Sequence, residues 1–249
     1  MKVLVLRPER AARRTADALA ALGHEAILAP VLTIEDLANP VPDGPFDAVL
    51  ATSANGLRKL RSRPEIARLA GLPLIAVGDR TAEAGREAGF ATVHVAEGDG
   101  RALVAEAQAR FPKPARFLHA AGADRAFDIA GALARYEHET VVVELYRATA
   151  ATELPEAAAL ALADGSARAA LHHSRRIAET FLRLSDTAGF AETIRAMPHA
   201  ALAARVAGAL ETAGCVRVAV AERPDEASLL QAVLSLVDDG SPYRPGRSN

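Results

Sequence analysis

The chain carries two interleaved repeats, and they constrain its fold more than any other feature. Lys2–Ile34 lies ungapped on Arg116–Ala148, with identities at Leu4/Leu118, Ala12/Ala126, Ala16/Ala130, Ala18/Ala132, Leu19/Leu133, Ala20/Ala134, His24/His138 and Glu25/Glu139. A second pair follows: Pro73–Glu97 lies ungapped on Pro198–Glu222, and DAVLATS ending at Ser53 matches RAALHHS ending at Ser174. The order is therefore A1, B1, A2, B2. Internal repeats of this length mark the architecture before any single element does.

Short apolar runs alternate with helix-period segments, the pattern of parallel strands covered by helices. The strands expected are Val3–Leu6, Glu25–Ala29, Ala48–Ala51, Leu74–Val77, Thr92–Val95, Arg116–His119, Thr140–Leu145, Ala169–His172, Ala200–Ala203 and Arg217–Val220. Their near-continuous hydrophobicity fits burial on both faces. Helices are expected at Glu9–Leu22, Thr81–Ala88, Arg101–Arg110, Arg125–Tyr136, Ile177–Leu184, Val206–Thr212 and Glu226–Val237. In the first of these Ala12, Ala16, Leu19 and Ala20 form the apolar stripe. Gly23, Gly89 and Gly214 follow helices where a left-handed residue ends the last turn.

Two stretches break the rhythm. Glu35–Pro45 carries three prolines and Arg147–Pro155 is polar and ends in proline, so both read as linkers. Each closes an A unit, so a domain crossing there leaves B1 and A2 together in the middle of the chain. The expectation is an α/β fold of two similar lobes, each a five-stranded mostly parallel sheet flanked by helices, joined by a two-segment linker. Lobe 1 takes 1–36 plus 152–240, lobe 2 takes 37–151, and 241–249 is expected to be a disordered tail.

Composition narrows the function classes. Twenty-nine basic residues stand against 31 acidic ones, a net charge of −2, which predicts neither nucleic-acid nor membrane-surface binding. No apolar run approaches the ~20 residues of a membrane span, and MKVLVLRPER is too short for a signal peptide, so a cytoplasmic location is expected. The single cysteine, Cys215, excludes an internal disulfide and a multi-cysteine metal site, and is expected buried within a strand.

Ligands of open α/β sheets settle beyond the carboxyl ends of the strands. Those ends carry Arg7, Thr52, Ser53 and Asn55, Gly78 and Thr81, Gly122, and Ser174 with Arg175, next to helix N-termini whose free N–H groups favour anions. A ligand with carboxylates or phosphates is implied, and these residues are candidate contacts. Ser53, Thr81 and Ser174 also suit N-capping, which does not exclude ligand contact. Other motifs fail. RPERAARR stands where a dinucleotide site needs G-x-G-x-x-G, no P-loop occurs, and His172 and His173 point to opposite sides of a strand. His24 and His138 recur with the repeat, and their place after a helix suggests capping. Any reaction would depend on holding the substrate rather than on a strong acid/base cluster.

The ordered set RPER, ATSANG, AVGDRTAEAGREAG, LYRATA, HSRRIAETF and VAVAERPDEASLLQAV resembles the uroporphyrinogen-III synthase family over residues 1–237. The resemblance implies two α/β lobes on a two-stranded linker and a hydro-lyase of tetrapyrrole (haem) biosynthesis. Such an enzyme cyclises hydroxymethylbilane to uroporphyrinogen III with inversion of ring D and loss of water, without metal or cofactor. It places Tyr146 of LYRATA near the departing hydroxyl as a general acid, with Thr81 and Ser53 as contacts. One departure stands out: where the family often has a hydroxyl cluster after the penultimate strand, this chain has LAARVAG, so contacts there fall to backbone N–H groups or Arg205. The expected partner is the linear tetrapyrrole alone, bound by a monomer. The alternative is a non-catalytic two-lobe binder of a small polyanionic ligand.

Overall fold

The computed structural model describes residues 1–238; the expected tail at 241–249 lies outside the described residues. The chain divides into two compact units, one made of Met1–Thr33 and the chain from Thr149 on, the other of Ile34–Ala148. The polypeptide passes between them twice.

In the first unit the strands are β1 (Lys2–Val5), β2 (Glu25–Leu28), β9 (Ala167–His172), β10 (His199–Ala201) and β11 (Val218–Val220). They form one sheet in the order β11-β10-β9-β1-β2, parallel at every pair. Leu4 and Leu6 enter one core and Val3 and Val5 the other, the period of a strand buried on both faces. Helices α1 (Glu9–Ala21) and α11 (Glu226–Asp238) cover the second of these faces, and α7 (Glu156–Ala163), α8 (Arg175–Thr187), α9 (Ala191–Ala196) and α10 (Ala204–Thr212) the first. On α1 the buried stripe is Ala12, Thr15 and Leu19, while the expected Ala20 is exposed. Thr15 takes the inward place because its hydroxyl has partners there, the buried Arg7 and the half-buried Glu226.

The second unit holds β4 (Ala48–Ala51), β5 (Leu74–Val77), β6 (Val93–Ala96), β7 (Arg116–Gly122) and β8 (Glu139–Ala150). Its sheet runs β3-β8-β7-β4-β5-β6, where β3 is Leu32–Asp36. Helices α2 (Ala54–Arg61), α3 (Ile66–Leu69) and α4 (Asp79–Glu87) flank one face, α5 (Gly100–Arg110) and α6 (Ile129–Ala134) the other.

The repeat survives in bonds as well as in strand order. Lys2 pairs with Glu25 across β1 and β2 at 3.6 Å, and Arg116 with Glu139 across β7 and β8 at 2.9 Å. Val49 N donates to Pro73 O as Ala170 N donates to Pro198 O. His138 Nδ1 accepts from Ala115 N at 3.0 Å, and His24 Nδ1 faces the Met1 ammonium at 3.5 Å. The recurrent histidine thus does both: its backbone N–H caps the helix before it, bonding Leu19 O or Leu133 O, and its ring secures the entry to the repeat's first strand, β1 or β7.

Several expectations need correction. The second sheet has six strands, not five, because β3 forms at the end of the first repeat and runs into the start of the segment read as a linker. Leu37 N donates to Leu145 O and Thr33 Oγ1 to Thr149 O, so β3 satisfies its backbone against β8, a partner more than a hundred residues away. The same pairing extends β8 to Ala150, through the first four residues of the second supposed linker. Helix α6 begins at Ile129 rather than Arg125, since the Asp128 carboxylate caps it by accepting from Gly131 N. Cys215 is buried as expected, but in the turn between α10 and β11 rather than in a strand.

Candidate functional site

In the second unit the chemistry gathers at the carboxyl ends of β4, β7 and β8. Between β7 and β8 the register slips, so that Ala121 faces Glu144 but Gly122 faces Tyr146. One extra residue on β8 makes a bulge there, a device that re-aims the side chain after it. The ring of Tyr146 consequently lies against Gly122: a Cβ at that position would stand 2.7 Å from Cζ and 2.9 Å from the phenolic oxygen. Ala123 N donates to Tyr146 O at 2.9 Å and pins the same turn. Arg125 Nη1 closes it further, bonding Glu144 Oε1 at 2.6 Å and Gly122 O at 3.2 Å.

Ser53 caps α2, its Oγ accepting from Asn55 N at 3.1 Å, and its side chain also bears on the Tyr146 phenol. Burial raises the phenol's pKa above its ordinary value; the Ser53 side chain works against this and the charge of Asp124 with it. The group is thus protonated at neutral pH, with a donor placed to meet the phenolate once the proton leaves. Asn55 Oδ1 accepts from Arg58 at 3.2 Å, and Thr52 is exposed.

Gly78 takes φ 71° and ψ 160° at the start of α4, a left-handed conformation that suits glycine. Thr81 is buried, with its backbone N–H donating to Gly78 O at 3.1 Å. The helix cap is Gly78, so Thr81 sits in the first turn and does not cap it.

The first unit is built otherwise. Ser174 caps α8 by accepting from Ile177 N at 3.2 Å, and Arg175 is exposed and paired with Glu179 at 2.6 Å. Arg205 is exposed in the first turn of α10, whose cap residue Ala203 offers no side-chain bond. Arg7 is buried, its guanidinium bonded to Glu226 at 2.7 Å and to Thr15 at 3.2 Å. The structure thus brings Ser53, Gly122 and Tyr146 together, and holds Arg7 in a separate network. Glu226, Thr15 and His173 belong to that network; Glu226 and Thr15 did not stand out in the sequence, and His173 did so only beside His172, because the contacts join α1, the end of β9 and α11. Among the described residues no group of His, Cys, Asp and Glu side chains is arranged to hold a metal ion, and no helix is long and apolar enough to cross a membrane.

Residues 13–231 match the family model described as uroporphyrinogen-III synthase HemD. The chain belongs to the uroporphyrinogen-III synthase family. It carries that family's activity, a lyase reaction of tetrapyrrole biosynthesis. No curated protein sequence matches it significantly. Two solved structures share its fold: a uroporphyrinogen-III synthetase of Helicobacter pylori (14% identity, TM-score 0.65, covering 94% of this chain and 99% of that one), and a mutant uroporphyrinogen III synthase of Thermus thermophilus (21%, 0.58, 96% and 99%).

Proposed function

We propose that the chain closes hydroxymethylbilane to uroporphyrinogen III with Tyr146 as the proton donor to the departing hydroxyl. The observation that carries this reading is the half-buried phenol of Tyr146, seated on Gly122 with the Ser53 side chain favouring its phenolate. Protonated by the phenol, the ring-A hydroxyl leaves as water and an azafulvene remains. The substituted α-carbon of ring D attacks it, giving a spiro-pyrrolenine that fragments and recloses with ring D inverted. The proton lost as the pyrrole regains aromaticity balances the one donated. A phenol with a raised pKa is a weak acid but always loaded, and the Ser53 hydroxyl offsets part of the burial penalty on the phenolate.

Carboxylates of the substrate are held by groups at the strand ends of the two units: Thr52, Ser53, Asn55, Gly78, Thr81 and Gly122 in one, Arg7, Ser174, Arg175 and Arg205 in the other. We take the units to be two lobes, 1–36 with 152–240 and 37–151, acting as a monomer in the cytoplasm on a linear tetrapyrrole. No cofactor is needed for a reaction whose only chemistry is proton transfer and carbocation capture. The test is product. Purified protein incubated with freshly made hydroxymethylbilane should give isomer III after oxidation and separation. Isomer I alone, as in the uncatalysed control, would leave the polyanion-binder reading in its place.

A further inference from the structure

In the first unit β1 and β9 are neighbours at the point where the sheet order turns from β9-β10-β11 to β1-β2. Open α/β sheets take ligands at such a switch point. Here a carboxylate of the chain itself occupies it. Glu226, the first residue of α11, places Oε2 2.7 Å from Arg7 Nη1, while its Oε1 accepts from Thr15 Oγ1 at 2.5 Å and lies 3.3 Å from His173 Nε2. The three donors come from the end of β1, the middle of α1 and the end of β9.

Receptor and occupant differ in exposure. The Arg7 side chain is 9% exposed, that of His173 7%, and Thr15 is fully buried, whereas the Glu226 side chain is 35% exposed. The donors are fixed by the sheet and by α1. Glu226 sits in a first helical turn, capped independently by Asp225 through Ser228 N at 2.8 Å, so rotation of its side chain into solvent leaves the helix intact. A carboxylate replacing it would restore the charge of a site that is costly to leave half empty. At the equivalent places the second unit has Ala121 and Thr52, which form no such receptor.

We propose that Arg7, Thr15 and His173 form a carboxylate-binding site which Glu226 fills as an internal plug and yields to a carboxylate side chain of the substrate. The identity of the incoming group rests on the function proposed above; the site itself does not.

The experiment therefore has two arms. In the first, thermal unfolding of Glu226→Ala is followed with added propionate, against chloride at equal ionic strength. Propionate should raise the midpoint saturably by several degrees, and the gain should vanish when Arg7→Met is added. Glu226→Gln, which keeps the side-chain volume, gives the same readout if the alanine variant does not fold. No advantage of propionate over chloride, or a gain that persists without Arg7, overturns the site. In the second arm, the KM of the same variant for hydroxymethylbilane should fall severalfold, because the plug no longer competes. An unchanged or raised KM with isomer III still formed overturns the exchange and leaves the enzyme function standing. Failure of the wild-type protein to form isomer III overturns that function and leaves the propionate result to decide the site.

Discussion

Gly122 and Tyr146 occupy each other's space: a single methyl group on residue 122 would meet the phenol ring at 2.7 Å. In the other repeat the same two positions hold Pro8 and Leu32, so glycine and tyrosine occur together in one copy and neither in the other. Gly122→Ala should push the ring off its seat and lower kcat in the manner of Tyr146→Phe, for which a lost general acid predicts a fall of about a hundredfold. The urea midpoint of both variants should stay close to wild type. Wild-type kcat in Tyr146→Phe would remove the phenol as the acid; a fall in Tyr146→Phe but not in Gly122→Ala would show that the ring's seat does not matter.

Gly56, within the ATSANG segment, acts by packing. A Cβ there would stand 2.5 Å from the carbonyl oxygen of Ala120 on β7, so α2 approaches that strand as closely as a glycine allows. Backbone does not yield as a side chain does. Gly56→Ala should cost about 1–3 kcal/mol of stability and lower kcat too, since α2 carries Ser53 at its cap. Stability equal to wild type would mean that α2 shifts freely.

How much of this was legible depends on how local each signal is. The interleaved repeats predicted which segments pair, and β1 with β2 and β7 with β8 pair at matching residues because the same sequence pattern folds the same way twice. Strand β3 was hidden because its hydrogen bonds go to β8, and its proline-rich flank reads as linker. Helix α7, EAAALALA, shows no amphipathic period, and α3 is a single turn. Ser53 and Tyr146 were legible from the resemblance, whereas the bulge that joins them through Gly122 has no signature of its own. Arg7 was read as a candidate anion contact, and the carboxylate it meets in the structure, Glu226, lies 219 positions away.

The repeat also exposes a strained residue. Glu137 adopts φ 61°, the only positive value among the described non-glycine residues, at the place where the first copy has Gly23 at φ 76°. Both end a helix, and both N–H groups bond back to the equivalent carbonyl, Ala134 O and Ala20 O. A side chain in that region costs roughly 1–2 kcal/mol relative to glycine's freedom there. Glu137→Gly should therefore raise the unfolding midpoint, by about 1 kcal/mol after the entropy of the unfolded glycine is counted. A lower midpoint would show that the carboxylate makes a compensating contact.

Besides His138, whose pKa burial also lowers, three buried histidines set how the protein responds to acid. Burial holds His119 and His199 down to about 4 from 6.5, with the Arg125 charge adding to the effect at His119, and His172 lies well below its ordinary value through burial and the neighbouring His199 and His173. The bonds explain why protonation is resisted. His199 Nε2 donates to Ile194 O at 2.7 Å, so a neutral His199 offers the lone pair of Nδ1, and His172 Nε2 donates to it at 3.0 Å. His172 Nδ1 is then the site left for a proton, and among the described residues it has no hydrogen-bond partner; neither ring nitrogen of His119 has one. Because the folded pKa values are depressed, the unfolded chain binds more protons between about 4 and 6.5. The stability due to neutral histidines is complete above 6.5 and drains away as pH falls towards 4, each group adding up to about 1.4 kcal/mol per pH unit within that window. Glu226, held at about 2 against an ordinary 4.5, loses its contribution between those values and so enters only at the acid end of the series. Urea midpoints should drop steadily from pH 7 to 4.5, and His119→Leu should flatten that slope by one proton's worth. The same slope in the variant would mean that His119 is already protonated in the folded protein.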